Sequence, residues 1–356
     1  MISKRIAVIR GDGIGVEVIE EGLKVLRKVS DRAGLGLEFA EFPWGSDYYF
    51  EHGAMMPGSA LETLARFDAI YLGAVGHPQI HDHVTLNELL LPIRRRFDQY
   101  VCLRPNTLFL GIDCPLKNAT PWDIDIAIVR ENTEGEYADV GGIQFENLPN
   151  EMGVQTSVFT RRGCERVIRY AFELARKRGS QKPVTSITKS NAQGYGMVVW
   201  DRAFDRVAAD YPDFSTRSLL VDAAAMEFVR TPEAFDVVVA SNLFGDILSD
   251  LASIITGSIG MAASGNINPE NDHPSMFEPV HGSAPDITGK SLANPLAAIL
   301  SAAMMMEHLG QVSEAELIRK AVLFVVEQGK ALSSDMGGSA YTWQVGDAVS
   351  NALDLV

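Results

Sequence analysis

Short apolar runs alternate along the chain with longer amphipathic stretches, and that alternation predicts an α/β protein. Aliphatic or β-branched runs at 6–10, 37–41, 69–72, 100–103, 125–129, 184–188, 216–221 and 237–239 read as strands. Helical spacing covers 16–30, 58–65, 89–97, 163–177, 295–308, 313–328 and 344–355. Strands recurring between helices imply a largely parallel sheet. Two stretches break the rhythm. Residues 141–153 have little periodicity and could form an excursion or arm, which 154–160 continues as a strand. Residues 277–295 are rich in Gly, Ser, Pro and Asp and read as a loop.

One stretch, 236–252, carries the strongest chemical pattern. Val237 to Val239 read as a buried strand, 241–245 turn the chain, and a helix starts near Asp246. Asp246 and Asp250 are four apart, so they share one helical face. Like charges at that spacing weaken a helix by roughly 0.2–0.5 kcal/mol, so folding alone does not require them. A hard divalent cation would cancel the repulsion. The plainer alternative is a solvated acidic face with Asp246 as N-cap.

Composition narrows the classes. The formal net charge of -15 argues against nucleic acid or an anionic membrane as the main partner, since both need a basic face. An anionic substrate would then need a local arginine cluster. Arg94, Arg104 and Arg130 supply one. Arg94 closes a helix, where it also suits the dipole, and the other two sit at predicted strand ends. Ends of parallel strands are where α/β sheets place ligands, and arginine grips carboxylates bidentately. The three could form a cage for a dicarboxylate. Lys189 follows the strand at 184–188; near arginines its pKa should fall, which suits a general base. Asp222, after the strand at 216–221, is a third acidic candidate.

Gly11-Asp-Gly-Ile-Gly15 follows the first strand, yet the dinucleotide fingerprint G-x-G-x-x-G breaks at Val16. His77, His81 and His83 lack zinc spacing and read as a surface loop. Cys102, Cys114 and Cys164 show no CxxC, which fits a reducing compartment. The N-terminus does not read as a signal peptide, and the longest apolar run, 295–306, is too short to span a bilayer. A cytoplasmic protein is expected. Asp286, in the 277–295 loop, could accept both hydroxyls of an adenine ribose and repel a 2′-phosphate.

These residues stand in motifs similar to those of one family. Gly11-Asp-Gly-Ile-Gly15, Leu90-Leu-Pro-Ile-Arg94, Leu103-Arg104-Pro105, Val129-Arg130-Glu-Asn-Thr-Glu-Gly-Glu-Tyr137, Thr188-Lys189-Ser-Asn191, Val221-Asp222, Asn242-Leu-Phe-Gly-Asp246-Ile-Leu-Ser-Asp250 and His281-Gly-Ser-Ala-Pro-Asp286 span nearly the whole chain. Over that length it resembles the metal-dependent β-decarboxylating dehydrogenases that include isocitrate and 3-isopropylmalate dehydrogenases. Trp44-Gly-Ser-Asp-Tyr-Tyr49, Met55-Met-Pro57 and Phe97-Asp-Gln-Tyr100 look most like its tartrate and D-malate branch.

The resemblance implies two α/β domains around a central cleft, not a Rossmann fold. The large domain would take 1–100 and 252–356, the small one 101–251, with an arm at about 140–160 clasping a second subunit in a homodimer. It implies NAD⁺ and Mg²⁺ or Mn²⁺, with K⁺ activation expected of the branch. Asp246 and Asp250 would hold the metal with Asp222 of the neighbouring subunit, and Lys189 would also come from that neighbour. Arg94, Arg104 and Arg130 would bind carboxylates, and Tyr137 would protonate the enol carbon. His281, Gly282, Ser283, Ala284, Asp286 and Asn294 would hold the adenosine, with Asp286-Ile287 favouring NAD⁺ over NADP⁺. Asn87-Glu-Leu-Leu-Leu91 departs from the branch, which usually has Trp-Gly near 87 and 88; Leu90 and Leu91 resemble a wall for an isopropyl group. D-malate or tartrate is the expected substrate, with 3-isopropylmalate the alternative. Decarboxylation without net redox change is open for some tartrate isomers. A non-catalytic regulatory subunit is the remote alternative, and the filled catalytic positions oppose it.

Overall fold

The computed structural model describes residues 3–356, which divide into two compact units. The first runs to Gln99 and adds Leu103–Asp125 and Ala252–Val356; the second is Tyr100–Cys102 and Ile126–Leu251. The segment 103–125, expected in the smaller domain, thus sorts with the larger one.

The chain opens with β1 (Ser3–Ile9), α1 (Ile14–Ala33), β2 (Gly36–Phe42), α2 (Ser46–His52), α3 (Ala60–Leu64) and β3 (Ala69–Leu72). A helical stretch follows: α4 (Asp82–Thr85), a π turn at Leu86–Leu90 and α5 (Leu91–Arg96). β4 (Val101–Thr107) has residues in both units. Then come β5 (Asp125–Glu131), β6 (Gly135–Gln144), β7 (Met152–Val158), α6 (Arg161–Arg178), β8 (Val184–Thr188), α7 (Gly196–Ala208), β9 (Thr216–Leu220), α8 (Val221–Arg230), β10 (Val237–Ala240) and α9 (Asn242–Ile255). The chain closes with β11 (Ala263–Ile267), β12 (Ser275–Pro279), α10 (Leu296–His308), α11 (Val312–Gln328) and α12 (Thr342–Ala352).

In the first unit the strand order is β2-β1-β3-β12-β11, parallel except where β11 meets β12. Successive strand residues point to opposite faces. Ile6, Val8, Ala69, Tyr71 and Phe277 therefore join one apolar cluster, while Ala7, Ile9, Ile70, Leu72 and Met276 join another. A sheet covered on both faces needs near-continuous apolar strands, and these strands have them. α10 is buried on every side from Leu296 to Met306 except at the half-buried Leu300, so the longest apolar run of the chain is an interior helix. Among the described residues no helix is long and apolar enough to cross a membrane.

The second unit carries β5-β10-β8-β9, all parallel, with α6 and α7 packed on them. Trp200, Phe172, Phe228 and Phe235 are fully buried there. β6 and β7 form a separate antiparallel hairpin that exposes Val140, Ile143, Met152 and Val154, with Phe145 and Leu148 exposed in its turn.

Four local expectations need correction. The segment 46–52, outside every helical stretch expected from the pattern, is a helix, and the Asp12 carboxylate receives its first N–H, from Ser46, at 2.7 Å. The segment 277–279 is strand, paired with β11, which sequence pattern did not reveal. α9 starts at Asn242 rather than near Asp246, so the expected turn at 241–245 is mostly helix. β4 continues through Arg104 to Thr107 instead of ending at Arg104.

Candidate active site

In the second unit, Arg130 and Tyr137 converge on Asp246. β5 carries Arg130, whose side chain is 3% exposed, and its Nη1 pairs with Asp246 Oδ1. Tyr137, on β6, donates its hydroxyl to Asp246 Oδ2 at 2.9 Å. The guanidinium also lies over the Tyr137 ring, 5.3 Å from its centroid. Asn242 orients the arginine: its Oδ1 accepts from Arg130 Nε at 3.0 Å and Nη2 at 2.7 Å, and its Nδ2 donates to the Glu134 carbonyl at 3.0 Å. Gly245 makes room for this, since a Cβ there would fall 2.6 Å from Arg130 Cβ.

Asp250 stands exposed one turn beyond the half-buried Asp246. Two carboxylates on one face are hard donors that fit part of the shell of Mg²⁺ or Mn²⁺. Among the described residues no set of three His, Cys, Asp or Glu side chains is grouped to hold a metal.

Lys189 follows β8, and its Nζ lies 2.6 Å from Asp222 Oδ1. Asp222 is in the first turn of α8 rather than at a strand end. The hydrogen bond from Lys189 holds its carboxyl below the usual range. The charge that Lys189 meets in its own unit is thus a carboxylate, where arginines were expected.

In the first unit, Arg94 is buried on α5 and its Nη2 pairs with Glu278 Oε1 at 3.0 Å. Asn266 Nδ2 donates to the same oxygen at 2.7 Å. A buried guanidinium needs such compensation, and its Nε is left without a hydrogen-bond partner. Arg104 is buried within β4. Leu90, expected in a substrate wall, is 8% exposed and packs in the cluster of Ile9, Trp44, Ile93 and Phe97.

The glycine-rich loop is a junction in this unit. Asp12 accepts from Ser46 N–H, Ser46 Oγ and Gly76 N–H at 2.6–2.7 Å. Ile14 N–H donates to the Ser283 carbonyl at 2.9 Å, tying the loop to 281–286. His281 is buried; burial lowers its pKa, so the neutral ring is favoured, and its Nε2 has no hydrogen-bond partner. An orphaned buried nitrogen fits the polar edge of a bound ligand. Gly282 and Asp286 are exposed, Ser283 is buried and Ala284 half-buried. The Asn294 amide is committed internally: Oδ1 accepts from Leu296 N–H at 3.0 Å and Nδ2 donates to Asp335 at 3.0 Å.

The family model for isocitrate and isopropylmalate dehydrogenases matches residues 5–349. The chain belongs to that family. It is 52% identical to the tartrate dehydrogenase/decarboxylase of Pseudomonas putida, covering 99% of this chain and 98% of the relative. It is 51% identical to the decarboxylating D-malate dehydrogenase of Escherichia coli, covering 99% of each. The crystal structure of isocitrate dehydrogenase from Methylococcus capsulatus matches with a TM-score of 0.89 at 32% identity, covering 98% of this chain and 99% of that one.

Sequence reading of this dehydrogenase missed the carboxylates that support the site: Asp12, Glu131, Glu134, Glu136 and Glu278. Three of them crowd into Glu131-Asn-Thr-Glu-Gly-Glu136, and that density was the available signal. Glu131 is fully buried, and burial pushes its pKa up to about 7 despite bonds from Thr133 and Glu134. Cys164 nearby is raised to about 12, chiefly by burial.

Proposed function

We propose that this dehydrogenase carries out NAD⁺-linked, divalent-metal-dependent oxidative decarboxylation of D-malate, tartrate or both. The reading is carried by the convergence of Arg130 and Tyr137 on Asp246: a carboxylate-gripping cation and a proton donor share one acidic residue. Likeness at about 50% identity to tartrate and D-malate enzymes supports the substrate class.

Arg94, Arg104 and Arg130 would take the substrate carboxylates and fix the reacting carbon. Asp246 and Asp250, with Asp222 of a second subunit, would hold Mg²⁺ or Mn²⁺. When bound, that ion would supply Lewis acidity at the substrate's hydroxyl and carboxylate oxygens. Lys189 would remove the proton from the C2 hydroxyl, and NAD⁺ would accept the hydride. After loss of CO₂, Tyr137 would deliver a proton to the enol carbon. His281 to Ala284 and the Asn294 main chain would seat the adenosine, and Asp286 would select NAD⁺ over NADP⁺.

A homodimer is part of the proposal. Its support is a set of exposed apolar side chains on the second unit: Met226 and Val229 on α8, Ile247 on α9, and those of the β6–β7 hairpin. The test is a steady-state panel of D-malate, L-, D- and meso-tartrate and 3-isopropylmalate with NAD⁺ and Mn²⁺, following NADH and CO₂ separately. Turnover of 3-isopropylmalate alone would reject the substrate reading.

A further inference from the structure

The three glutamates of 131–136 each serve a different element. Glu131 closes the turn between β5 and β6, accepting from Thr133 N–H, Thr133 Oγ1 and Glu134 N–H at 2.8–2.9 Å. Glu134 anchors the start of α6, accepting from Thr160 N–H at 2.9 Å and Thr160 Oγ1 at 2.8 Å. Glu136 anchors the start of α9. Its Oε1 accepts from Ser241 Oγ at 2.9 Å and its Oε2 from Leu243 N–H at 3.1 Å.

α9 has no acidic residue in its own first turn. The negative charge that meets its open N–H groups and positive end therefore comes from another strand. Tyr137, the next residue of that strand, reaches the same helix further on, at Asp246. The pairing of β6 with β7 shifts register between Gly135 and Val140, and such irregularities re-aim side chains. Adjacent residues of β6 thus hold α9 at two heights, one at its first turn and one at its first acidic residue.

We propose that Glu136 is a positioning residue for the carboxylates Asp246 and Asp250, fixing where α9 begins against Tyr137. A helix advances about 1.5 Å per residue, while a functional site tolerates about 0.5 Å of misplacement. A slip of α9 by one residue's rise against β6 would exceed that tolerance. The inference rests on the metal reading above.

The test is Mn²⁺ binding by the intact protein without substrate, read as free Mn²⁺ by electron paramagnetic resonance, alongside Tm. Glu136→Ala removes both acceptors; Glu136→Gln removes only the charge, because its Oε1 can accept from Leu243 N–H while its NH₂ donates to Ser241 Oγ. Thr160→Ala is the matched control, because it removes the side-chain cap at the start of α6. Glu136→Ala should raise the Kd for Mn²⁺ about fivefold, the equivalent of a lost cap of about 1 kcal/mol. Glu136→Gln should raise it less, and Thr160→Ala should lower Tm comparably with Kd unchanged. An unchanged Kd in Glu136→Ala, or an equal rise in Thr160→Ala, overturns the proposal. Failure of the metal reading looks different: Asp246→Asn and Asp250→Asn would themselves leave Mn²⁺ binding intact.

Discussion

The Lys189 ammonium and the Asp222 carboxylate lie 2.6 Å apart within one chain. The proposed proton acceptor, just after β8, and the proposed third metal carboxylate, on α8, thus form one paired unit. Whatever site receives one receives the other.

Pairing of that kind predicts complementation between subunits. Lys189→Met and Asp246→Asn should each be inactive alone. Mixed, unfolded together and refolded, they should regain about a quarter of wild-type activity, since half the dimers would be hybrids with one intact site each. No recovery in a verified hybrid would refute sharing.

Tyr137→Phe keeps the ring beneath Arg130 and removes the proton delivered near Asp246. kcat for CO₂-releasing turnover should fall roughly 10²–10⁴-fold, with a smaller change in substrate KM. Comparing NADH formation with CO₂ release checks which half is damaged; wild-type kcat would end the role.

Asp286→Lys should raise KM for NAD⁺ and improve use of NADP⁺, because the exposed carboxylate is exchanged for a cation that suits a 2′-phosphate. Coenzyme titrations read this directly. Identical KM values for NAD⁺ would remove Asp286 from the cofactor site.

Gly245→Ala places a methyl group 2.6 Å from Arg130 Cβ and 2.8 Å from Cγ, so the arginine must shift. Substrate KM should rise, and stability should fall by about 1–3 kcal/mol, the usual cost of overpacking. Steady-state kinetics and urea unfolding give both values. An unaffected KM would mean Arg130 does not set substrate affinity.

Glu131 and His281 bound the pH range of stability from opposite sides. The Glu131 pKa is raised from 4.5 to about 7 by burial, so its contribution is full below 4.5 and lost as pH rises through about 7. His281 is lowered from 6.5 by burial, so its contribution is full above 6.5 and lost on acidification; half-buried His308 acts in the same direction. Glu131→Gln should therefore flatten the decline of Tm above neutral pH, and His281→Gln part of the acid decline. Parallel Tm–pH curves for wild type and Glu131→Gln would contradict this assignment.

Residue order alone determined most elements and the placement of Asp246 and Asp250 on one face, because helical and strand periods are local. It also made Arg130 and Lys189 visible as charges beside buried strands. The start of α9 was not legible, since its anchoring carboxylate, Glu136, is 105 residues away from Ser241. Nor was the partner of Arg94, which lies 184 residues on at Glu278, or that of Lys189, 33 residues on at Asp222. Leu90 could have faced a ligand by pattern, and only packing placed it in the core. Local periodicity decides which residues share a face. What meets that face depends on contacts between distant segments, and here those contacts are carboxylates whose partners only the tertiary structure supplies.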